Sequence, residues 1–203
     1  MVRKSTPERH AALRETLLAI AERTIATQGL AGLRTRDLTQ EAGCAVGALY
    51  TVFPDLDALI LAVNGRTLAL LAAKLRAVAE RKGQGPLERL VAKAEAYLEF
   101  ASEHQARWVA LFAHRMPPGV PVPAWYREEQ HAVFTLVERE LAALRPDLGA
   151  EQQALLARTI FAAVHGVITL GIDRKLGPLP AATLREQTRM TVELMARGIA
   201  ARG

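Results

Sequence analysis

The stretch TRDLTQEAGCAVGALYTVF, residues 35–53, holds two short runs with helical spacing on either side of a glycine. Gly43 can adopt the positive φ that a tight turn between helices requires. Helices of fewer than about ten residues are marginal alone, so these two need a third helix, which residues 7–28 can supply. The pattern predicts a helix-turn-helix, whose second helix lies in the DNA major groove. An ordinary helical hairpin in a bundle core has the same spacing.

The small core of this unit can be assigned from the apolar positions. Leu38 and Ala42 are expected to point back toward the first helix. Either Val46 or Leu49 would close the core from the second helix of the motif. The small residues of that second helix would let its backbone approach the floor of the groove.

Prolines, glycines and apolar periodicity divide the rest of the chain into helices. The first helix has a start signal at Ser5-Thr6-Pro7-Glu8 and ends at Gly29. The proline-rich segment 116–123 is expected to be an irregular loop that either gates a cavity or links helices. Further helices are predicted at about 35–42, 46–52, 55–81, after Pro86, around Trp108, and at 124–144, 150–174 and 181–201.

These elements predict an all-α protein of about nine helices. A helix-turn-helix DNA-binding domain is expected at residues 1–55, followed by a larger helical effector-binding and dimerisation domain at 56–203. Half of the residues are apolar, which is enough for a sizeable core, and aromatic residues make up only 5%, which favours helices over sheets.

Composition narrows the cellular setting and the partners. A single cysteine, Cys44, leaves no internal disulfide and no multi-cysteine zinc site. No membrane span and no secretory signal are expected, so a cytoplasmic location is predicted. The net charge is +5, and residues 1–36 carry seven basic and three acidic side chains. This excess permits DNA binding but does not identify it.

One family of helix-turn-helix proteins shares a specific sequence pattern, roughly I-A-x-x-A-G-V-S-x-G-x-x-Y-x-x-F followed by a lysine and a leucine. The positions in register are Leu38-Thr39, Ala42-Gly43-Cys44-Ala45, Gly47, Tyr50, Phe53 and Leu59. Residues 10–60 therefore resemble the N-terminal domain of the TetR family of transcriptional regulators. This resemblance implies a DNA-binding regulator, usually a repressor, that acts as a dimer and is released by a small molecule.

Several positions depart from the family pattern. Thr39 replaces an alanine, and its hydroxyl is expected to bond a carbonyl one turn back. Ala45 replaces a capping serine, a loss of roughly 1 kcal/mol, and Arg34 stands where a capping residue is usual. Leu56 replaces a lysine and Val52 often a histidine, so two phosphate contacts are missing. A salt dependence shallower by about one unit per lost contact is expected.

The predicted DNA contacts divide into base and phosphate contacts. Val46, Ala48 and Thr51 suit thymine methyl groups. Arg36 is the candidate for a bidentate guanine contact, with a phosphate contact or a solvated surface as alternatives. Tyr50 is expected to donate to phosphate, as is Thr51. The predicted DNA-binding residues are Arg34, Thr35 (a predicted cap at an anion-binding helix N-terminus), Arg36, Ala45, Val46, Gly47, Ala48, Tyr50 and Thr51.

The resemblance also implies an effector cavity in the larger domain, and its apolar candidates suit a small, hydrophobic ligand. His165-Gly166 matches a C-terminal subtype of the family, although Phe161 stands where that subtype has a tryptophan. His165 is alternatively a satisfied core histidine. The predicted effector-binding residues are Tyr97, Trp108, Phe112, His114, Met116, Trp125, Tyr126, Phe134 and His165.

Dimerisation is implied through the last two long helices, with a purely intramolecular core as the alternative. Gly166 and Gly171 would allow helices to approach closely. Two-fold symmetry predicts a palindromic operator with half-sites about 34–36 Å apart or somewhat more. An effector would shift the helix at 55–81 and change the separation of the recognition helices. The predicted interface residues are Ile160, Val164, Val167, Ile168, Val192 and Met195.

The sequence offers little support for an enzymatic function. A di-iron site needs two Glu-x-x-His pairs, and the chain has one, Glu128 to His131. Zincin, Walker and Gly-x-Ser-x-Gly motifs are absent from the sequence. No catalytic residue, metal or cofactor is therefore expected, and a redox role for Cys44 stays open. The alternative function is a dimeric helical ligand-binding or scaffold protein with little specific DNA binding.

Overall fold

The computed structural model describes residues 5–79, 83–175 and 177–201, and all regular structure in these ranges is helical. The all-α prediction is confirmed. The elements are α1 (Thr6–Gln28), a single 3₁₀ turn (Leu30–Gly32), α2 (Thr35–Glu41), α3 (Val46–Leu49), α4 (Leu56–Ala79), α5 (Pro86–Glu103), α6 (Gln105–Ala113), α7 (Ala124–Leu144), α8 (Ala150–Ile172) and α9 (Ala181–Ala200).

The ends of the first helices follow from their capping residues. At the start of α1 the Glu8 amide donates to Ser5 Oγ at 3.4 Å, and the Ser5 amide donates to Glu8 Oε2 at 2.6 Å. This capping box is the one predicted from the sequence. Gly29 ends the helix with φ of 69°. The Ala58 amide donates to Asp55 Oδ1 at 2.7 Å, so Asp55 caps the start of α4.

Two predicted helix ends differ from the structure by two or more residues, and one cannot be compared. Helix α3 ends at Leu49 rather than at 52, because the chain tightens into i→i+3 bonds there. Helix α8 ends at Ile172 rather than at 174. The predicted end of α4 at 81 lies outside the described residues.

The chain divides into two compact units, each with its own core. The first contains the residues up to Thr67 together with His104–Tyr126, so α6 packs on α1 inside it. Its buried core consists of Leu17, Leu18, Ile20, Ala21, Ile25, Leu33, Leu38, Leu49, Phe53, Leu59, Ile60, Val63 and Ala110. These units are defined by packing, so the functional boundary at residue 55 stays a prediction.

The second unit contains Leu68–Glu103 and the residues from Arg127 onward. Within it α5 packs on α8 and α9, and α8 packs on α9. A Cβ atom at Gly171 would come within 2.5 Å of Leu184 Cδ1, so this glycine permits close approach of α8 and α9. Space around Gly166 is open instead.

Helices α4 and α8 are long and apolar enough to cross a membrane by length and composition alone, which is weak evidence for a membrane span. Core helices of soluble proteins meet the same criterion, and half of the α4 segment is buried. Only 28% of the α8 segment is buried, so this apolar helix keeps a large uncovered surface within the single chain.

Candidate nucleic-acid interface

Helices α2 and α3 are held by a small apolar core against α1. Leu38 of α2 and Leu49 of α3 are buried, and Phe53 follows in the same cluster. Val46 is 43% exposed, so Leu49 closes the core from the second helix. Burial of Leu49 turns the opposite side of this short helix toward solvent.

The turn between the two helices depends on Gly43, whose φ is 66° as predicted. The Gly43 amide donates to Gln40 O at 3.1 Å, and the next amide, of Cys44, donates to Thr39 O at 2.9 Å. A residue with a side chain would be strained in this conformation. The Thr39 hydroxyl donates to Thr35 O at 2.9 Å, which confirms the predicted bond one turn back.

Neither helix of the motif has a side-chain cap. Arg34 occupies the cap position of α2, and Ala45 that of α3, without a capping hydrogen bond. The loss of the cap at Ala45 is therefore confirmed. The prediction that Thr35 caps α2 is wrong, because Thr35 is the first residue inside the helix.

None of the nine predicted DNA-binding residues is buried. Thr35 and Ala48 are half-buried and the other seven are exposed, with Tyr50 at 51%. The Thr51 hydroxyl donates to Ala48 O at 2.6 Å, so it cannot donate to a phosphate at the same time. Donation from Thr51 to a phosphate would require this bond to open, and the phosphate contacts of Thr51 and Tyr50 stay predictions.

The arginines of this surface differ in their surroundings. Arg34 and Arg36 are exposed, and within the described part of the chain neither forms an ion pair. Arg23 of α1 pairs with Glu41 of α2, which fixes the two helices to each other. The motif thus presents two arginines whose charge is available to an anionic partner.

A network of ion pairs joins α1 to α4 and α6 within the first unit. Arg107 Nη2 lies 2.6 Å from Glu22 Oε1, and Arg66 Nη1 lies 3.3 Å from Glu22 Oε2. Arg66 also binds Glu15, and these carboxylates outweigh the effect of burial and raise its pKa. Arg107 Nε donates to the buried Thr67 hydroxyl at 3.2 Å. Two carboxylates of α1 therefore hold both of the other helices.

Six of the predicted effector residues belong to the first unit, namely Trp108, Phe112, His114, Met116, Trp125 and Tyr126. The rings of Trp108 and Phe112 meet edge to face at 5.9 Å, and those of Trp125 and Tyr126 at 5.5 Å. Tyr126 is buried, which raises the pKa of its hydroxyl. His114 Nε2 lies 3.5 Å from Asp57 Oδ1 at the start of α4.

The other three, Tyr97, Phe134 and His165, form one cluster in the second unit. Tyr97 Oη lies 2.8 Å from His165 Nδ1. The ring of Phe161 stacks on His165 at 5.4 Å and meets Phe134 edge to face at 5.3 Å. Phe161 was not among the predicted effector residues, and its four-residue spacing from His165 is the signal that could have placed it here.

His165 is bonded on both of its ring nitrogens. Besides Tyr97, the Thr169 hydroxyl lies 3.3 Å from its Nε2 atom. Burial lowers the pKa of His165, so the neutral ring is favoured. Thr169, one turn further along α8, was not predicted as part of this cluster.

Most of the predicted interface residues are buried in the core of the second unit. Ile160, Val164, Ile168 and Val192 are buried in the chain's own core, and Val167 and Met195 are half-buried. A residue that is already buried loses little further surface to a partner. The first four thus belong to the intramolecular core, which is the alternative to the predicted dimer interface.

Another face of the same two helices is uncovered. We call it the outer stripe: Leu155, Thr159, Ala162, Gly166 and Leu170 of α8, with Met190, Leu194 and Gly198 of α9. Leu155 is 65% and Leu194 is 64% exposed, beside a groove of about 540 Å³. The steps of three and four residues place the members of each helix on one side.

No metal centre is formed by the residues within 5–79, 83–175 and 177–201, where three or more potential ligands do not cluster anywhere. Glu128 and His131 are both exposed on α7. Cys44 is a half-buried free thiol in the turn of the motif.

Comparisons with known proteins identify the family that has this architecture. Residues 17–63 match the family model described as bacterial regulatory proteins of the tetR family. Residues 90–195, more than half of the chain, match the tetracyclin repressor-like C-terminal domain. A search of curated proteins found no match.

Solved structures agree over nearly the full length. A protein of unknown function from Rhodococcus sp. RHA1 is 30% identical, with a TM-score of 0.75 over 97% of this chain and 100% of the other. RolR in complex with the ligand resorcinol is 17% identical, with a TM-score of 0.67 over 97% of each chain. The regulator PfmR from Thermus thermophilus is 19% identical, with a TM-score of 0.61 over 89% of this chain and 97% of the other. The chain belongs to the TetR family of DNA-binding transcriptional regulators.

Proposed function

We propose that the protein is a cytoplasmic, ligand-responsive repressor that binds a palindromic operator as a homodimer and is released by a small hydrophobic effector. The observation that carries this proposal is the uncovered outer side of the helix-turn-helix. Leu49 anchors α3, while Val46, Tyr50, Arg34 and Arg36 face solvent. A short helix with small residues and flanking arginines suits a groove lined by phosphates.

The proposed DNA binding is tested by selecting genomic fragments with the purified protein. The affinity for the selected duplex is then measured as a function of salt concentration. Arg36→Ala is expected to weaken binding. If Arg36 contacts guanine, the loss is about 1–3 kcal/mol on the selected duplex and small on a scrambled one. If it contacts phosphate, both duplexes lose equally and the salt slope falls by about one unit.

The matched control for this experiment is Arg185→Ala, which removes an exposed arginine of α9. It is expected to leave both duplex affinities unchanged. Wild-type protein that selects no fragment above background would contradict the proposal. That outcome would favour the alternative of a helical ligand-binding or scaffold protein.

The proposal that the protein is a homodimer rests on the outer stripe. Leu155 and Leu170 flank small residues on α8, where Gly166 has open space around its Cα. Small residues at the centre of a helix face allow another helix to approach closely, and exposed leucines beside a groove supply apolar area to bury. A second copy of the chain, with its own stripe, would cover this surface by two-fold symmetry.

Leu155→Asp combined with Leu194→Asp tests this interface by sedimentation equilibrium. We expect the double variant to be monomeric and folded by circular dichroism, because both side chains are exposed within the single chain. Val122→Asp, at an exposed position of the loop before α7, serves as the control and should stay dimeric. A double variant with the wild-type mass would place the interface elsewhere.

The proposal that the protein binds an effector rests on the aromatic cluster of the second unit. Phe134 and Phe161 supply apolar rings, and Tyr97, His165 and Thr169 supply hydrogen-bonding groups. A small aromatic ligand with one or two hydroxyl groups fits this chemistry, and resorcinol, the ligand of RolR, is of that kind. A ligand must bind one conformation better than the other to release DNA.

Transmission to the recognition helices would use the ion-pair network of the first unit. Glu22 binds both Arg66 of α4 and Arg107 of α6, so a shift of either helix acts on α1. This supports the proposal that an effector moves α4 and changes the separation of the two recognition helices. Liganded and unliganded crystal forms with the same separation would count against it.

Effector binding can be screened by thermal shift with small hydroxylated aromatic compounds, and each hit tested for release of DNA. His165→Ala should weaken the response to a hit by tenfold or more. His131→Ala, at an exposed histidine of α7, is the control and should respond as the wild type does. A hit that binds both variants equally would exclude His165 from the effector site.

A further inference from the structure

The turn that follows α3 is held by a residue of α1. The amides of Val52 and Phe53 both donate to Leu49 O, at 3.0 and 2.9 Å, so the chain folds tightly at the end of the helix. The carbonyl of Val52 then accepts a hydrogen bond from Arg14 Nη1 at 3.2 Å. Arg14 thereby binds the backbone beyond the four residues of α3, across 38 positions of sequence.

The same guanidinium also covers an aromatic ring. The Arg14 Cζ atom lies 4.2 Å from the centroid of the Phe53 ring, within cation–π distance. Phe53 is only 1% exposed and belongs to the core that contains Leu49. A planar guanidinium can stack on a ring and donate from its edge at once, whereas the ammonium group of lysine cannot make this combination.

The orientation of α3 depends on such contacts, because a helix of one turn has little stability of its own. Helix α1 is a firm support, since it buries Leu17, Leu18 and Ile25 in the core of the unit. Arg14 extends from this support to both the carbonyl of Val52 and the ring of Phe53. It therefore fixes the end of the recognition helix in a direction that apolar packing alone does not set.

We propose that Arg14 is a positioning residue for DNA recognition, which acts on the recognition helix through Phe53 and Val52 rather than by neutralising a phosphate. This inference rests on the proposed DNA binding. It predicts that loss of the guanidinium harms the reading of sequence more than it harms general attraction to DNA. The positively charged side chain would otherwise be assigned, from its exposure, to the phosphate-contacting arginines.

The test compares wild type, Arg14→Ala, Arg14→Lys and Arg9→Ala on the duplex that wild type selects and on a scrambled duplex of equal length. Arg9 is the control, since it is an exposed arginine of α1 whose guanidinium donates locally, to the Thr6 hydroxyl. For Arg14→Ala we expect at least a tenfold loss on the selected duplex, less than a threefold loss on the scrambled one, and an unchanged salt slope. Arg14→Lys should behave in the same way, because charge alone does not restore the two contacts.

Phe53→Leu provides a second variant that keeps the core apolar and removes the ring. It should reproduce the selective loss, with binding measured at a temperature where circular dichroism shows every variant folded. Equal losses on both duplexes with a slope smaller by about 0.9 would make Arg14 a phosphate contact and overturn the proposal. Full rescue by lysine, or wild-type behaviour of Arg14→Ala, would also overturn it. A wild-type protein without duplex binding would overturn the proposed function and this inference together.

Discussion

The two units of the molecule place their charges differently. In the first unit Glu15, Glu22, Arg66 and Arg107 link three helices while keeping partial contact with water. In the second unit Lys93 and Glu140 are almost completely buried, with 3% and 2% of their side chains exposed. Partly exposed charges can exchange partners at small cost, whereas a buried pair tolerates no loss of either member. The ion pairs among α1, α4 and α6 can thus rearrange, whereas the buried Lys93–Glu140 pair of the second unit cannot.

The buried pair is well satisfied by its neighbours. Lys93 Nζ lies 2.6 Å from Glu140 Oε1 and also donates to Leu136 O, while Arg89 Nε lies 2.6 Å from Glu140 Oε2. Burial opposes ionisation of Glu140, but the hydrogen bonds and charges of Lys93 and Arg89 outweigh it and lower its pKa. For Lys93 burial prevails and lowers the pKa. The α5–α7 contact therefore depends on a complete ion cluster.

The largest expected effect comes from removing one member of this cluster. Lys93→Met should lower the free energy of unfolding by about 3–5 kcal/mol, because Glu140 then stays buried with one partner fewer. Urea unfolding at pH 7 followed by circular dichroism measures the loss. Lys74→Met, which breaks the more exposed pairs with Glu99 and Glu103, should cost about 0–1 kcal/mol. Equal effects of the two substitutions would contradict the contrast between a buried and a more exposed ion pair.

The pH dependence gives a second reading of the same cluster. Since the pKa of Glu140 is lowered on folding, its contribution is complete above the ordinary value of 4.5 and is lost as the pH falls through the lower folded value. The stability difference between wild type and Lys93→Met should therefore shrink as the pH falls below 4.5. A difference that is constant from pH 7 to pH 3 would show that Glu140 does not carry it.

The sequence predicted the first unit in more detail than the second for a physical reason. A turn that needs Gly43, a capping box at Ser5 and short helices with one apolar side leave few registers open. In α8, by contrast, apolar residues occur all around the helix, so periodicity could not separate the buried Ile160 from the exposed Leu155. Burial in such a helix depends on which neighbours pack on it.

Side-chain pairs far apart in the sequence were beyond reach as well. No local pattern distinguishes Lys93 from an exposed lysine, because its partner Glu140 lies 47 residues away. The same applies to Arg14 and Val52, and to Tyr97 and His165. The sequence did supply the residues of the predicted DNA-binding surface, and the structure adds that the Thr51 hydroxyl donates to Ala48 O.

A smaller effect is expected where the first unit uses apolar packing. Leu49→Ala should lower the free energy of unfolding by about 2–5 kcal/mol, since the side chain is fully buried between α3 and α1. Val46→Ala in the same helix should change it by no more than about 0.5 kcal/mol, because Val46 faces solvent. Chemical unfolding of both variants checks the orientation of α3. If Val46→Ala were the more destabilising, the helix would be rotated and the assigned DNA-facing side would be wrong.

The smallest effect concerns the missing cap of α3. Ala45→Ser should raise the free energy of unfolding by about 1 kcal/mol, because a serine hydroxyl can accept from an amide in the first turn where alanine offers nothing. The extended backbone of Ala45, with φ of −70° and ψ of 151°, is already that of a capping residue, so no rearrangement opposes the gain. Gln40→Ser, at an exposed position inside α2, lacks this geometry and should not stabilise. If both substitutions left stability unchanged, the missing cap would not lower the free energy of unfolding. The position of α3 would then depend on the burial of Leu49 and Phe53 alone.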